Sequence, residues 1–197
     1  MPEIKLKCAC GSVQGTTTNV TGKSGTRVVC CCDDCQSFAH YLEQESDASE
    51  QKVDVLDQYG GTDIFQMPIA SLKITQGNEH VSCMRLSPKG IHRWYAKCCN
   101  TPIGNTMDAG VPFVGVIHNF MDNEATREAD LGKSRGHIMV KFATQHVPEN
   151  LQVSFFKITL RVLAKLLIWK LKGLNKPSVF FKENGDPVVE PNVLTKG

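Results

Sequence analysis

Apolar and polar residues alternate in short bursts over the first 120 or so positions of the chain. Ile4-Lys5-Leu6-Lys7 has the period of two that marks a half-buried strand. Positions 13–20, rich in Thr and Val, predict its return strand. Between them Cys8-Ala9-Cys10-Gly11 reads as a tight turn, with a glycine to permit positive φ. Positions 26–31 predict another strand, and 35–42 a short helix capped by Asp33 or Asp34. The polar stretch 43–52 predicts an exposed loop. Further short strands are expected at 53–56, 63–66, 72–75, 80–86, 91–96 and 112–118, punctuated by Gly60-Gly61, Gln76-Gly77-Asn78 and Pro88-Lys89-Gly90. So many short strands imply a mainly β body, a sheet or barrel-like arrangement.

The last quarter changes period. Positions 155–171 predict an amphipathic helix closed by Gly173 and Pro177. Lys157, Arg161, Lys165 and Lys172 share one face; Val162, Leu163, Leu166 and Leu167 lie towards the other. The expected arrangement is a helix packed on the body with a solvated basic face; the alternative use of such a helix is at a membrane surface. The chain therefore divides into a β domain, 1–150, and a helical extension packed on it, 151–197.

Length and charge add little and exclude something. The 197 residues suit one domain with an appendage, and 41% hydrophobic residues allow a sizeable core. The net charge of +2 gives no argument for nucleic acid. It is unevenly placed: positions 151–197 carry eight Lys/Arg and three Asp/Glu, or +5, leaving −3 on the rest. The N-terminal residues show no apolar leader. The most apolar run, 158–171, is broken by Arg161, Lys165 and Lys170, so no transmembrane segment is expected and a cytoplasmic protein is.

The chemistry is in the cysteines. Eight of nine fall in three clusters: Cys8 and Cys10; Cys30, Cys31, Cys32 and Cys35; Cys98 and Cys99. In a reducing compartment such clusters bind metal more readily than they form disulfides. Thiolates in C-x-C or C-x-x-C spacing converge on one ion, and zinc takes four such ligands in a tetrahedron; iron–sulfur is the competitor. Cys30, Cys32 and Cys35 form a three-thiolate frame, which leaves a coordination position for water or a substrate thiol. Cys83 stands alone and reads as a buried core thiol.

The frames Cys8-x-Cys10-Gly11, Cys30-x-Cys32-x-x-Cys35-Gln36 and Cys99-Asn100-Thr101-Pro102 resemble the glutathione-dependent formaldehyde-activating enzyme family, which includes centromere protein V. The resemblance covers roughly residues 4 to 120. Arg93 to Gly104 and the tail from about Phe155 resemble one uncharacterised branch of it. It implies a β-tent fold of small antiparallel sheets pinned by two zinc ions. One zinc would be structural, held by the first and third clusters; the other, held by Cys30, Cys32 and Cys35, would be the catalytic centre. The implied activity is that of a carbon–sulfur lyase, joining formaldehyde and glutathione as S-hydroxymethylglutathione. The family's third motif is C-x-x-C-G-T-P, whereas here Ala96 stands at its first cysteine and Asn100 at its glycine. The structural site is then either Cys8, Cys10, Cys98 and Cys99, or three cysteines plus another donor. Neighbouring strand residues face opposite ways, so Cys98 and Cys99 reach one ion only if the chain turns there, and Cys31 should point away from the ion of Cys30 and Cys32.

Other residues have less to say. His92 and His118 read as structural histidines, with His118 a candidate to approach the three-cysteine site. Arg27, Arg85, Lys89 and Arg93 suit glutathione's carboxylates or ordinary surface charge. Asp33 and Asp34 suit a base beside the metal or a helix cap. Two functions follow: a zinc-dependent lyase-like protein acting on a thiol–aldehyde adduct, its partner a small-molecule thiol such as glutathione, or a non-catalytic zinc-binding module.

Overall fold

Residues 3–45 and 53–194 are described by the computed structural model. Strands β1 (Ile4–Lys7), β2 (Gln14–Thr17) and β5 (Leu72–Gln76) make a three-stranded antiparallel sheet in the order β1-β2-β5. A second sheet has eight strands. Its order is β10 (His137–Ile138), β3 (Thr26–Cys30), β4 (Thr62–Met67), β9 (Val114–Ile117), β8 (Thr101–Thr106), β7 (His92–Ala96), β6 (Val81–Arg85) and β11 (Asn192–Val193). Only the two-residue edge strands β10 and β11 pair in parallel. The protein is mainly β, with two sheets and few helices. The first sheet is small and antiparallel as expected; the second is broad and mixed at its edges.

Alternation along the central strands divides the core. On β7, Trp94 and Ala96 face a large cluster with Leu6, Met67, Ile103 and Phe120, whereas Tyr95 faces a second with Phe38, Leu42 and Ile117. Helix α1 (Asp33–Gln44) supplies that second layer through Cys35, Phe38, Ala39, Tyr41 and Leu42. With both faces covered, β7, β8 and β9 are buried along their whole lengths.

The sequence missed β8, because Thr101-Pro102-Ile103-Gly104 has the composition of a turn. Pro102 is tolerated because it lies at a register shift, opposite Tyr95, where the ladder is already interrupted. The strand expected at 53–56 shrinks to one bridge, Leu56 to Thr62. Helix α1 begins two residues earlier than expected. Its N-cap is Cys32 with no side-chain cap bond, so Asp33 and Asp34 are not caps but exposed residues of the first turn, favourable to the helix dipole. Glu43 and Gln44, expected in a loop, close the helix; positions 46–52 of that loop lie outside the described residues. A short α2 (Arg127–Leu131) was also not foreseen.

Helix α3 (Phe155–Leu171) has the expected bounds but only part of the expected facing: Val162 packs inward and Lys157 and Lys172 are exposed, as the sequence suggests. Ile158 is buried against Val28 and Ile138, with Val153 and Val162 beside them, and Trp169 is buried near the other end. Arg161 Nε donates to Thr26 Oγ1 at 3.4 Å and Lys165 Nζ to the Lys23 carbonyl at 2.6 Å. Part of the basic face is thus turned to the body, and Leu163 and Leu167 are turned out. Beyond the helix the chain returns to the core: Phe180 stacks on Trp94 with centroids 4.7 Å apart, and Phe181 meets the same ring edge-on.

Candidate metal centres

The turn after β1 carries Cys8 and Cys10, and the turn between β7 and β8 carries Cys98 and Cys99. The sheets bring these turns together, and all four Sγ atoms lie within 4.8 Å of one another. The separations are 3.5 Å for Cys8–Cys10, 3.3 Å for Cys10–Cys98, and 3.9 Å for both Cys8–Cys98 and Cys98–Cys99. A tetrahedron of sulfurs around zinc, with bonds of ~2.3 Å, has edges of roughly 3.8 Å. The four thiols fit that ion and are too far apart for disulfides.

Two adjacent cysteines share this site because the chain turns under them. The Cys99 N–H donates to the Ala96 carbonyl at 3.2 Å, and Asn100 follows at φ 52°, a left-handed conformation that Asn adopts more readily than most residues. Ala96 is buried in β7, outside the thiol group. Residues to which the sequence reading gave no role of their own support the cluster. Thr101 Oγ1 lies 3.1 Å from Cys99 Sγ and accepts the Ala9 N–H at 2.9 Å, tying one turn to the other. The Val13 N–H donates to Cys8 Sγ at 3.2 Å. Burial pushes the Cys8 thiol up. Slight burial also works against the Cys10 thiolate, but bonds from Ser12, Cys98 and Cys99 outweigh it and bring Cys10 down to about 6.

The second group is Cys30, Cys32 and Cys35, at the end of β3 and the start of α1. Among the described residues three thiols converge here, against four at the other site. Cys30 Sγ donates to Cys32 Sγ at 3.4 Å, and the Cys35 N–H to the Cys32 carbonyl at 3.0 Å. Bonds from Cys30 and Cys35 pull Cys32 down to about 2 against the cost of burial, with the Arg93 guanidinium adding to the effect. Cys30 is pushed up to about 12, first by its bond to Cys32, and Cys35 is raised well above the ordinary thiol range by the other two sulfurs and by burial. Without a cation the group holds one thiolate between two thiols; a divalent ion is what lets all three lose their protons. Cys32 also stands at a helix N-terminus, where the dipole favours negative charge.

The other sequence candidates have separate places. Cys31 is fully buried on the opposite side, near Asp57, and burial pushes it up to about 11; Cys83 is buried in the core and pushed up to about 12 for the same reason. His92 lies flat against Trp94 at 6.0 Å, remote from either thiol group in its contacts. His118 shares a cleft of about 580 Å³ with Cys8, Asp54 and Arg127, beside the four-thiol group rather than the three-thiol one. Of the basic residues offered for carboxylate binding, Arg27 forks onto Asp63 at 2.7–3.1 Å, Arg85 Nε donates to the Gly90 carbonyl at 2.7 Å, and Lys89 is exposed. Arg93 is buried with its guanidinium carbon 5.6 Å from the Phe38 ring centre, and reaches Asp34 at 3.3 Å.

None of the curated proteins compared matches the chain. A crystal structure of a Rhodobacter sphaeroides protein, a structural-genomics target, is similar at 15% identity over 66% of this chain and 96% of that one, with a TM-score of 0.43. A model described as a family of unknown function (DUF6151) matches residues 2–192, all but the ends of the chain. The chain belongs to the DUF6151 family.

Proposed function

We propose that this is a two-zinc protein of the formaldehyde-activating, β-tent type, with a structural ion on Cys8, Cys10, Cys98 and Cys99 and a reactive one on Cys30, Cys32 and Cys35. The observation that carries the proposal is the inequality of the two groups: four converging thiols can close a tetrahedron, and three leave room for a fourth ligand from outside. When bound there, zinc supplies Lewis acidity that favours the thiolate form of that ligand. The proposed partner is a small thiol, with glutathione the leading candidate. Its sulfur bonds to the formaldehyde carbon, and the thiol proton passes to the aldehyde oxygen, giving the S-hydroxymethyl adduct with no change of oxidation state. The N-terminus of α1, where Cys32 sits, and the buried Arg93 cation offset the negative charge that gathers as thiolates collect.

The second reading, a non-catalytic zinc module, is favoured by the guanidinium groups: those of Arg27, Arg85 and Arg93 already have protein partners, which leaves none of them free to grip glutathione's carboxylates. Cobalt substitution separates the readings. Glutathione added to the cobalt protein should change its sulfur-to-metal absorption, the change should vanish in Cys32→Ala, and formaldehyde should be consumed faster than in the uncatalysed mixture. An unchanged spectrum at saturating glutathione leaves the module reading ahead.

A further inference from the structure

Helix α3 carries its apolar side chains on the outside. Among the described residues, twelve large hydrophobic side chains are conspicuously exposed, and seven of them belong to this one helix. Phe156, Leu160, Leu163, Leu167 and Leu171 are 73%, 60%, 56%, 63% and 80% exposed. At 3.6 residues per turn these five fall in one narrow stripe, continuous over a helix of about 25 Å. Scattered exposed leucines need no explanation, but an ordered stripe of this length does.

The charges beside the stripe choose its occupant. Lys157 and Lys170 lie on its two shoulders and are exposed, Lys170 with its Nζ donating to the Gly110 carbonyl at 2.5 Å, and Lys172 follows the last turn. Helix α3 has four basic residues and no acidic one; the nearest acidic residues in the chain are Glu149 before it and Glu183 after it. Two copies paired along the stripe would bring lysine against lysine with no carboxylate on either helix to answer them, which opposes a self-interface. At the N-terminal end the exposed Lys141 lines one cleft with the exposed Phe155, continuing the same pattern of apolar side chain next to cation. The positive excess of residues 151–197, +5 against −3 elsewhere, gathers at this end of the chain. An apolar face with basic shoulders and low acidity matches the interfacial plane of a bilayer bearing anionic headgroups. No helix among the described residues is long and apolar enough to cross a membrane, so α3 would lie on the surface and not through it.

We infer that helix α3 docks the protein, through Phe156, Leu160, Leu163, Leu167 and Leu171, onto an anionic lipid surface, independently of what the thiol groups bind. Flotation of the full-length protein with vesicles tests this. Vesicles of phosphatidylcholine mixed with phosphatidylserine should carry the protein up the gradient, vesicles of phosphatidylcholine alone should carry far less, and high salt should release it. Lys157→Gln should weaken the partition about fivefold, or ~1 kcal/mol, and the double variant Leu163→Glu, Leu167→Glu should lose it. Both variants change exposed side chains, so far-UV circular dichroism and metal content should match wild type; the milder Lys157→Gln stands as the test if the double variant misfolds. Protein that stays at the bottom with anionic vesicles overturns the inference. So does a wild-type dimer in light scattering that the Leu163→Glu, Leu167→Glu pair splits into monomers without any vesicle binding, since the stripe would then belong to a second copy.

Discussion

Cys98 and Asn100 illustrate how a single position can rescue a site. Adjacent residues in a strand diverge, so two neighbouring cysteines reach one ion only over a turn, and the left-handed Asn100 is where that turn is made. On the two-zinc proposal Cys98→Ser and Cys99→Ser should therefore be alike: each should cost one of two metal equivalents and more than about 4 kcal/mol of stability, the range typical of a lost structural metal. Cys31→Ser, on the far side of β3, should keep both equivalents. Elemental analysis with urea denaturation reads all three, and a Cys98→Ser protein with full metal would mean the site closes through another donor. The clusters were legible from spacing alone, and so was the isolation of Cys31 and Cys83. The roles of Thr101 and Arg93, both named from the sequence, were not, because a hydroxyl bridging two turns 92 positions apart, or a cation pressed on a ring, is a product of topology that local sequence does not encode.

At the scale of elements, β1, β3 and β7 were legible because an alternating or branched pattern coincided with burial. Strand β8 was not, since Pro102 and Gly104 are penalised by any local rule and accepted here only at a register shift inside a sheet covered on both faces. Helix α3 shows the complementary failure: its bounds follow from propensity, yet which face packs is decided by what the body offers, and Thr26 and the Lys23 carbonyl offer partners to cations. Strand β7 also yields a pH prediction. Burial, and then Arg85, hold His92 below its ordinary value, and burial does the same for His118. The fold keeps these rings neutral while the unfolded chain takes up protons near pH ~6.5. The unfolded state binds more protons below that value, so stability should fall as pH drops through it towards the lower folded values, and be fully present above it. Urea midpoints between about pH 5 and 8 should show the decline, and His92→Gln should shed part of it. Equal pH slopes for the two proteins would remove His92 from the account.

For the whole molecule, the four-thiol group matters as a fastener. It brings a turn of the three-stranded sheet against a turn of the eight-stranded one, and an ion bound there, as proposed, would close a loop of some ninety residues. Chelation should therefore loosen the sheets from each other before it unfolds either. In hydrogen exchange the amides of β1, β2 and β5 should lose protection first, while those of β7, β8 and β9 persist; uniform loss would show that the group does not hold the sheets together. A different kind of consequence follows from Phe180, Phe181 and β11. During synthesis β6 and Trp94 are made long before these residues appear, so the nascent protein carries an unpaired sheet edge and an indole that Phe180 and Phe181 do not yet cover. The core around Trp94 therefore seals only once residues up to Val193 have been made, so a ribosome stalled between β7 and Phe180 would hold a chain with its main cluster open.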